Sequence, residues 1–208
     1  LKMRVEAYDK LSDLPAGLPA AWNELLGPDH VSPGVDATAT FEWHASLKDA
    51  FLDGVRTALL VCHDDNGRVA GVLPLCQSRT AEGRALRGRI ATWSELHCGR
   101  TGLVLGNHSE DTLRELLAHV EAQFPDWNCL EMTLPDGSSC LDPLTRAVAD
   151  RCLAIVSQPL ERSPYIDLPA DFDAYFKTLK ANFRTEVGRG TRRLAEHGTV
   201  DRRLFCTP

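Results

Sequence analysis

Thr57-Ala58-Leu59-Leu60-Val61-Cys62-His63-Asp64-Asp65-Asn66-Gly67-Arg68-Val69-Ala70-Gly71-Val72-Leu73-Pro74-Leu75-Cys76 is two apolar runs separated by a polar turn. A run of six apolar or β-branched residues from Thr57 to Cys62 reads as a buried strand. Asp64-Asp65-Asn66-Gly67 supplies positive φ at little cost, so Val69 to Cys76 is predicted to return antiparallel to the first run. A sheet built on two adjacent central strands follows.

On the N-terminal side, Arg4 to Tyr8 alternates like an edge strand, Ala20 to Leu26 reads as a short helix, and Phe41 to Leu52 as a second helix ended by Gly54. On the C-terminal side, an Arg-rich connection (Arg79, Arg84, Arg87, Arg89) leads to a predicted strand over Ile90 to Cys98 and another over Gly102 to Leu105. Leu113, Leu116, Leu117, Val120 and Phe124 keep helical spacing behind Ser109, a residue type suited to an N-cap. Further strands are expected at Trp127 to Leu134, Leu153 to Ser157 and Tyr165 to Leu168, and a helix from about Asp142 to Arg151. Hairpins mixed with helices favour an α/β (α+β) chain with a mixed, largely antiparallel sheet flanked by helices.

Composition removes several function classes. The 208 residues hold 23 Lys and Arg against 29 Asp and Glu, a net charge of −6, which argues against a general nucleic-acid binder. The longest uninterrupted apolar run, Ala58 to Cys62, falls far short of the roughly 20 residues that span a bilayer. With no secretory leader pattern at the first residues and seven scattered cysteines, a cytoplasmic protein without a disulfide framework is expected. Zinc is not indicated either, because the close pairs Cys62-His63 and His97-Cys98 are adjacent and point to opposite faces of a strand.

The C-terminal stretch has its own character. Between Lys177 and Arg203 eight basic residues stand against three acidic ones, a local +5 that leaves −11 for the rest. Phe176, Leu179, Phe183, Val187 and Leu194 keep helical spacing, so the segment is a basic amphipathic helix or pair of helices, weakened by Gly188 and Gly190. Its arginines, Arg184, Arg189, Arg192 and Arg193, suit an anion site; a solvated helix face or a packing surface is the other reading.

Two further pieces can carry chemistry. In the predicted Ile90 to Cys98 strand, Trp93, Glu95 and His97 share one face, and a carboxylate beside an imidazole can tune a general base near neutrality. An exposed strand face with incidental polar residues has the same pattern. Trp43-His44, together with Trp93, can form a stacking wall for a sugar, although a Trp at the start of an amphipathic helix also belongs in a core.

Several segments in order, Thr40-Phe41-Glu42-Trp43-His44, Val69-Ala70-Gly71-Val72-Leu73-Pro74-Leu75, Ser163-Pro164-Tyr165-Ile166-Asp167-Leu168-Pro169 and Asn182-Phe183-Arg184 through Arg192-Arg193-Leu194-Ala195-Glu196-His197-Gly198, resemble the CelD/BcsL-type, FemAB-like branch of the GNAT acyltransferase superfamily. The resemblance covers about Trp22 to Val200. It implies residues 1–170 as a GNAT-like domain and 171–208 as the start of a second, truncated one. It also implies acetyl-CoA or another acyl-CoA as co-substrate, a small-molecule or saccharide acceptor, and a link to exopolysaccharide or cell-envelope biosynthesis. Under it Glu95 and His97 become the catalytic candidates, Arg184, Arg189, Arg192 and Arg193 candidates for the CoA phosphates, and Trp43, His44 and Trp93 for the acceptor. The turn expected to hold the pyrophosphate, Gly106-Asn107-His108-Ser109-Glu110-Asp111, departs from the family's glycine-rich pattern, and its two carboxylates are expected to satisfy the helix dipole and repel a phosphate. A non-catalytic GNAT-like module that binds an acceptor or partner is the second reading.

Overall fold

The computed structural model describes residues 2–27, 37–80, 83–93, 102–106, 109–134, 138–159, 166, 168–199 and 201. The chain divides into two compact units, Leu1–Val156 and Ser157–Pro208. The first unit holds a six-stranded sheet: β1 (Arg4–Tyr8), β2 (Thr57–His63), β3 (Val69–Arg79), β4 (Ala85–Thr92), β5 (Val104–Leu105) and β6 (Cys129–Glu131). Spatial order is β1-β2-β3-β4-β6, antiparallel except for the parallel β4–β6 pair, and β5 pairs with β3.

The β2–β3 hairpin forms as its turn dictates. Asp64 Oδ1 accepts from the backbone N–H of both Asn66 and Arg68, and Gly67 has φ +76. Alternation along these strands divides the core. Leu59, Val61, Val72 and Cys76 face α1 (Leu18–Glu24) and α2 (Phe41–Phe51), burying Trp22 and Leu47. Ala58, Leu60, Leu73, Leu75 and Ile90 face α3 (Ser109–Gln123), whose Leu116 and Val120 lie against them. A third cluster joins Leu113 and Leu117 of α3 to Ala147 and Val148 of α4 (Leu141–Ala149).

Several expectations need correction. The Arg-rich connection is largely strand: β3 runs on to Arg79 and β4 contains Arg87 and Arg89, whose exposed positions alternate with Leu86, Gly88 and Ile90. Of the strand expected over Ile90 to Cys98, Ile90 to Thr92 belong to β4 and Trp93 does not, while residues 94–98 lie outside the described residues. Leu153 to Ser157 is not a strand; Leu153, Ile155 and Val156 are exposed and lack a ladder partner among the described residues. Of the strand expected at Tyr165 to Leu168, Tyr165 and Asp167 lie outside the described residues, while Ile166 and Leu168 are exposed and not in a strand. Ser109 is the first residue of α3 and not its N-cap, its Oγ donating to the Gly106 carbonyl at 2.9 Å.

The second unit contains α5 (Phe172–Thr178) and α6 (Ala181–Glu196). Asp171 caps α5 by accepting from Ala174 N at 2.7 Å, and Phe172 stacks on Phe176. Neither helix has a fully buried residue. No helix among the described residues is long and apolar enough to cross a membrane.

Candidate functional site

The sheet is interrupted where its chemistry is expected. β4 pairs with β3 as Leu75↔Thr92 and Cys76↔Ala91; continued in that register, Val72 would face residue 95, yet it faces Val104. The partner position along β3 thus jumps by nine residues, and β5 pairs where β4 in its own register would have continued. Pro74 gives a physical reason for the break. Gln77 N donates to Arg56 O across the β2 side, so by alternation Pro74 points its carbonyl, and its missing N–H, toward β4. Trp93 N uses the Pro74 carbonyl at 3.0 Å, and no return bond is possible. Gly102 lies beside Thr92: it has φ +134, and a Cβ on it would lie 2.7 Å from the Thr92 side chain.

β6 deepens the interruption. It pairs in parallel with β4 only from Arg89↔Cys129 to Ala91↔Glu131. Beyond Glu131, residues 132–134 have no ladder partner among the described residues, and β5 has β3 on one edge alone. The result is a gap in the ladder: among the described residues neither β5 nor residues 132–134 has a strand partner on the remaining edge, and such peptide groups can bond an extended, amide-bearing ligand.

Beside this gap α3 begins. It comes close because β3 has Gly71 there, where a Cβ would meet Thr112 Cγ2 at 2.7 Å. The two carboxylates in the first turn of α3 are ion-paired within the protein. Glu110 is held by Arg114 at 2.6 Å and by Arg146 of α4 at 2.5 Å, Asp111 is 3.3 Å from Arg114, and Arg114 also bonds Asp150. Arg146 lies 36 positions from Glu110, so sequence spacing gave no sign of this pairing.

A second constellation lies on the opposite face of the sheet. His44 stands between Trp22 (4.9 Å between centroids) and Trp93 (6.4 Å), all three rings being fully buried. Trp22 Nε1 donates to Ala39 O and Trp93 Nε1 to Leu75 O, which satisfies both indoles. His44 Nδ1 is 2.9 Å from the Thr40 carbonyl and serves as donor; Nε2 is buried without a partner among the described residues. Burial pushes the imidazole pKa down, with the Thr40 carbonyl acting weakly the other way. Since the folded pKa is below the unfolded one, near 6.5, the unfolded chain binds the extra proton in acid. His44 thus contributes stability that is complete above about pH 6.5 and is lost as pH falls through the folded pKa, at up to roughly 1.4 kcal/mol per pH unit. Denaturant midpoints of wild type and His44→Phe between pH 7.5 and 5 check this. Parallel pH profiles would exclude it.

Two solved acetyltransferases are distantly similar to this chain. One is the ribosomal-protein-alanine N-acetyltransferase from Brucella melitensis biovar Abortus 2308, 12% identical, with TM-score 0.44 over 79% of this chain and 100% of that one. Another is the aminoglycoside antibiotic 6'-N-acetyltransferase from Acinetobacter baumannii, 14% identical, with TM-score 0.40 over 82% of this chain and 100% of that one. No family model and no curated protein matches the sequence.

The candidate residues are distributed unevenly. Glu95 and His97 lie outside the described residues. Trp93 and His44 do meet, but as core; a ring with no exposed face does not stack on a ligand arriving from water, so of the three only Trp43, 38% exposed, presents a surface. Arg184, Arg189, Arg192 and Arg193 sit on α6 in the second unit. Arg184 donates to Lys177 O and Arg189 pairs with Glu186 at 3.0 Å. Sequence reasoning missed the gap itself, for which Pro74 in an otherwise central strand was the available signal. Among the described residues no group of three or more His, Cys, Asp or Glu is placed to hold a metal ion.

Proposed function

We propose that this chain is an acyl-CoA-dependent N- or O-acyltransferase unit of GNAT type. The observation that carries the reading is the gap in the ladder at β5 and residues 132–134, whose peptide groups have no strand partner on that side among the described residues. An acyl-CoA's pantetheine arm carries two amides and fits such a border as a strand would. The residues present suit it: Gly71 lets α3 approach, and Arg114 and Arg146 offset the carboxylates nearest the helix start. In the reaction an acceptor amine or hydroxyl attacks the thioester carbonyl; the new C–N or C–O bond forms, the C–S bond breaks, a base takes the acceptor proton and the thiolate leaves. Glu95 and His97 are the proposed catalytic base and its neighbour, a carboxylate beside an imidazole being able to tune a general base near neutrality. Arg184, Arg189, Arg192 and Arg193 are proposed for the CoA phosphates and Trp43 for a saccharide acceptor. The CelD/BcsL-type, FemAB-like branch, a role in exopolysaccharide or envelope synthesis, a cytoplasmic setting, and a second GNAT-like domain starting near residue 171 belong to the same proposal.

Calorimetric and thermal-shift titration with acetyl-CoA tests it. Ligand at a hundredfold over Kd is expected to stabilise the fold by about 2.7 kcal/mol. Glu95→Gln and His97→Ala are expected to keep that binding while acyl transfer falls by about 100-fold or more. Absence of any shift at millimolar acetyl-CoA would leave the non-catalytic module as the reading.

A further inference from the structure

We propose a second ligand site, for a small oxyanion-bearing molecule, at the end of the sheet where α3 finishes. Two clefts open there. One, of about 300 Å³, is lined by Lys10, Arg56 and the end of α3; the other, of about 90 Å³, by Arg56, Gln77, Arg87 and Trp127. They share Arg56 and Phe124, so the two form neighbouring parts of one groove. The acyl-transfer gap lies at the other end: β5 faces Gly71 and Val72 at the start of β3, whereas Gln77 and Arg79 end it.

Charge singles out this groove. Residues 1–156 carry fourteen Lys and Arg against twenty-two Asp and Glu, yet the groove has four cations, Lys10, Arg56, Arg87 and Arg89, against Asp9 and Asp126. Arg89 is spent on Glu131. Lys10 and Arg87 have no ion-pair partner among the described residues, and Arg56 donates to a neutral group, the Gln123 carbonyl, so its charge is not compensated. Arg56 is also fixed in place, its guanidinium 4.9 Å over the Phe124 ring. That leaves four of its five N–H donors and a side chain already ordered before a ligand arrives, which lowers the entropy lost on binding.

The shape selects among anions. A guanidinium pair, Arg56 and Arg87, suits a phosphate or carboxylate, the Gln77 amide adds a neutral donor, and Phe124 with Trp127 offers apolar surface for the body of the ligand. A small phosphate monoester or a dicarboxylate has this chemistry.

The test is an NMR titration of the whole chain with ¹⁵N-labelled arginine, using inorganic phosphate and, separately, succinate, each against sodium chloride at equal ionic strength. Saturable shifts of the Arg56 and Arg87 Nε–H signals are expected with at least one of the two, and the comparison tells a phosphate site from a carboxylate site. Arg87→Gln is expected to weaken that binding at least tenfold, and Arg68→Gln, at the far turn of the β2–β3 hairpin, to leave it unchanged. Arg87 is exposed and has no ion-pair partner among the described residues, so its variant is expected to keep the wild-type melting temperature; it is also expected to retain acetyl-CoA binding, which separates this site from the proposed acyl site. Shifts no larger than those in sodium chloride, or equal affinity in Arg87→Gln, overturn the proposal.

Discussion

Replacing Trp93 by alanine is expected to cost about 3–5 kcal/mol of folding stability, the range for deleting a fully buried large aromatic. The ring is 1% exposed, donates to Leu75 O at 2.7 Å, packs against His44, and has the Lys48 ammonium 5.7 Å from its centroid. Losing it opens a cavity where α2 meets the sheet and leaves Leu75 O without that donor. For a chain of this size the melting temperature falls on the order of 10 °C. A second effect separates this residue from ordinary core: Trp93 also stands at the break in the ladder, directly after β4, so Trp93→Phe, which keeps most of the packing but not the indole N–H, is expected to impair acyl transfer more than stability. Chemical denaturation beside steady-state kinetics reads both. A loss under 1 kcal/mol for the alanine variant would contradict the burial described.

Gly71→Ala is the second large effect, and its sign is informative. In a strand, alanine ordinarily gains roughly 0.5–1 kcal/mol over glycine by restricting the unfolded chain. Here the new methyl would lie 2.7 Å from Thr112 Cγ2, 2.9 Å from Leu105 Cδ2 and 3.2 Å from the Val104 carbonyl. Thr112 is fully buried, and neither its backbone nor β5 has room to retreat without moving the start of α3. A net cost of about 1–3 kcal/mol is expected, with weakened acetyl-CoA binding because the gap is bounded by the same elements. Thr112→Ser removes the nearest carbon while keeping the hydroxyl, so the double variant recovers part of the loss. A coupling of at least about 0.5 kcal/mol in that cycle identifies the contact, and additivity refutes it.

The sequence announced local features and concealed distant ones. The hairpin was legible because Asp64, Asn66 and Gly67 make the turn by themselves, and α3 because Leu113, Leu116, Leu117 and Val120 repeat on one face. β4 was hidden by its arginines: one face of that strand meets water, and polar residues there imitate a loop. Leu153, Ile155 and Val156 misled in the opposite direction, since an apolar run is a strand only when a neighbour offers a free edge. Alternation past Thr92 grouped Trp93 with Glu95 and His97; of these Trp93 follows the end of β4 as core, and the other two lie outside the described residues. The meeting of Trp22, His44 and Trp93 joins positions more than seventy residues apart, and no local pattern encodes it.

The closeness of Thr92 and Gly102 bears on how such a protein diversifies. Thr92 and Gly102 are already together, so the closure cost of whatever connects them grows only with the logarithm of its length, about 0.6 kcal/mol for each doubling. Insertions, deletions and wholesale exchange there leave the register of β3 with β4 and β5 intact. The sequence between these two positions and the register of the frame are then separate evolutionary variables, and a library randomised there is expected to leave the frame standing.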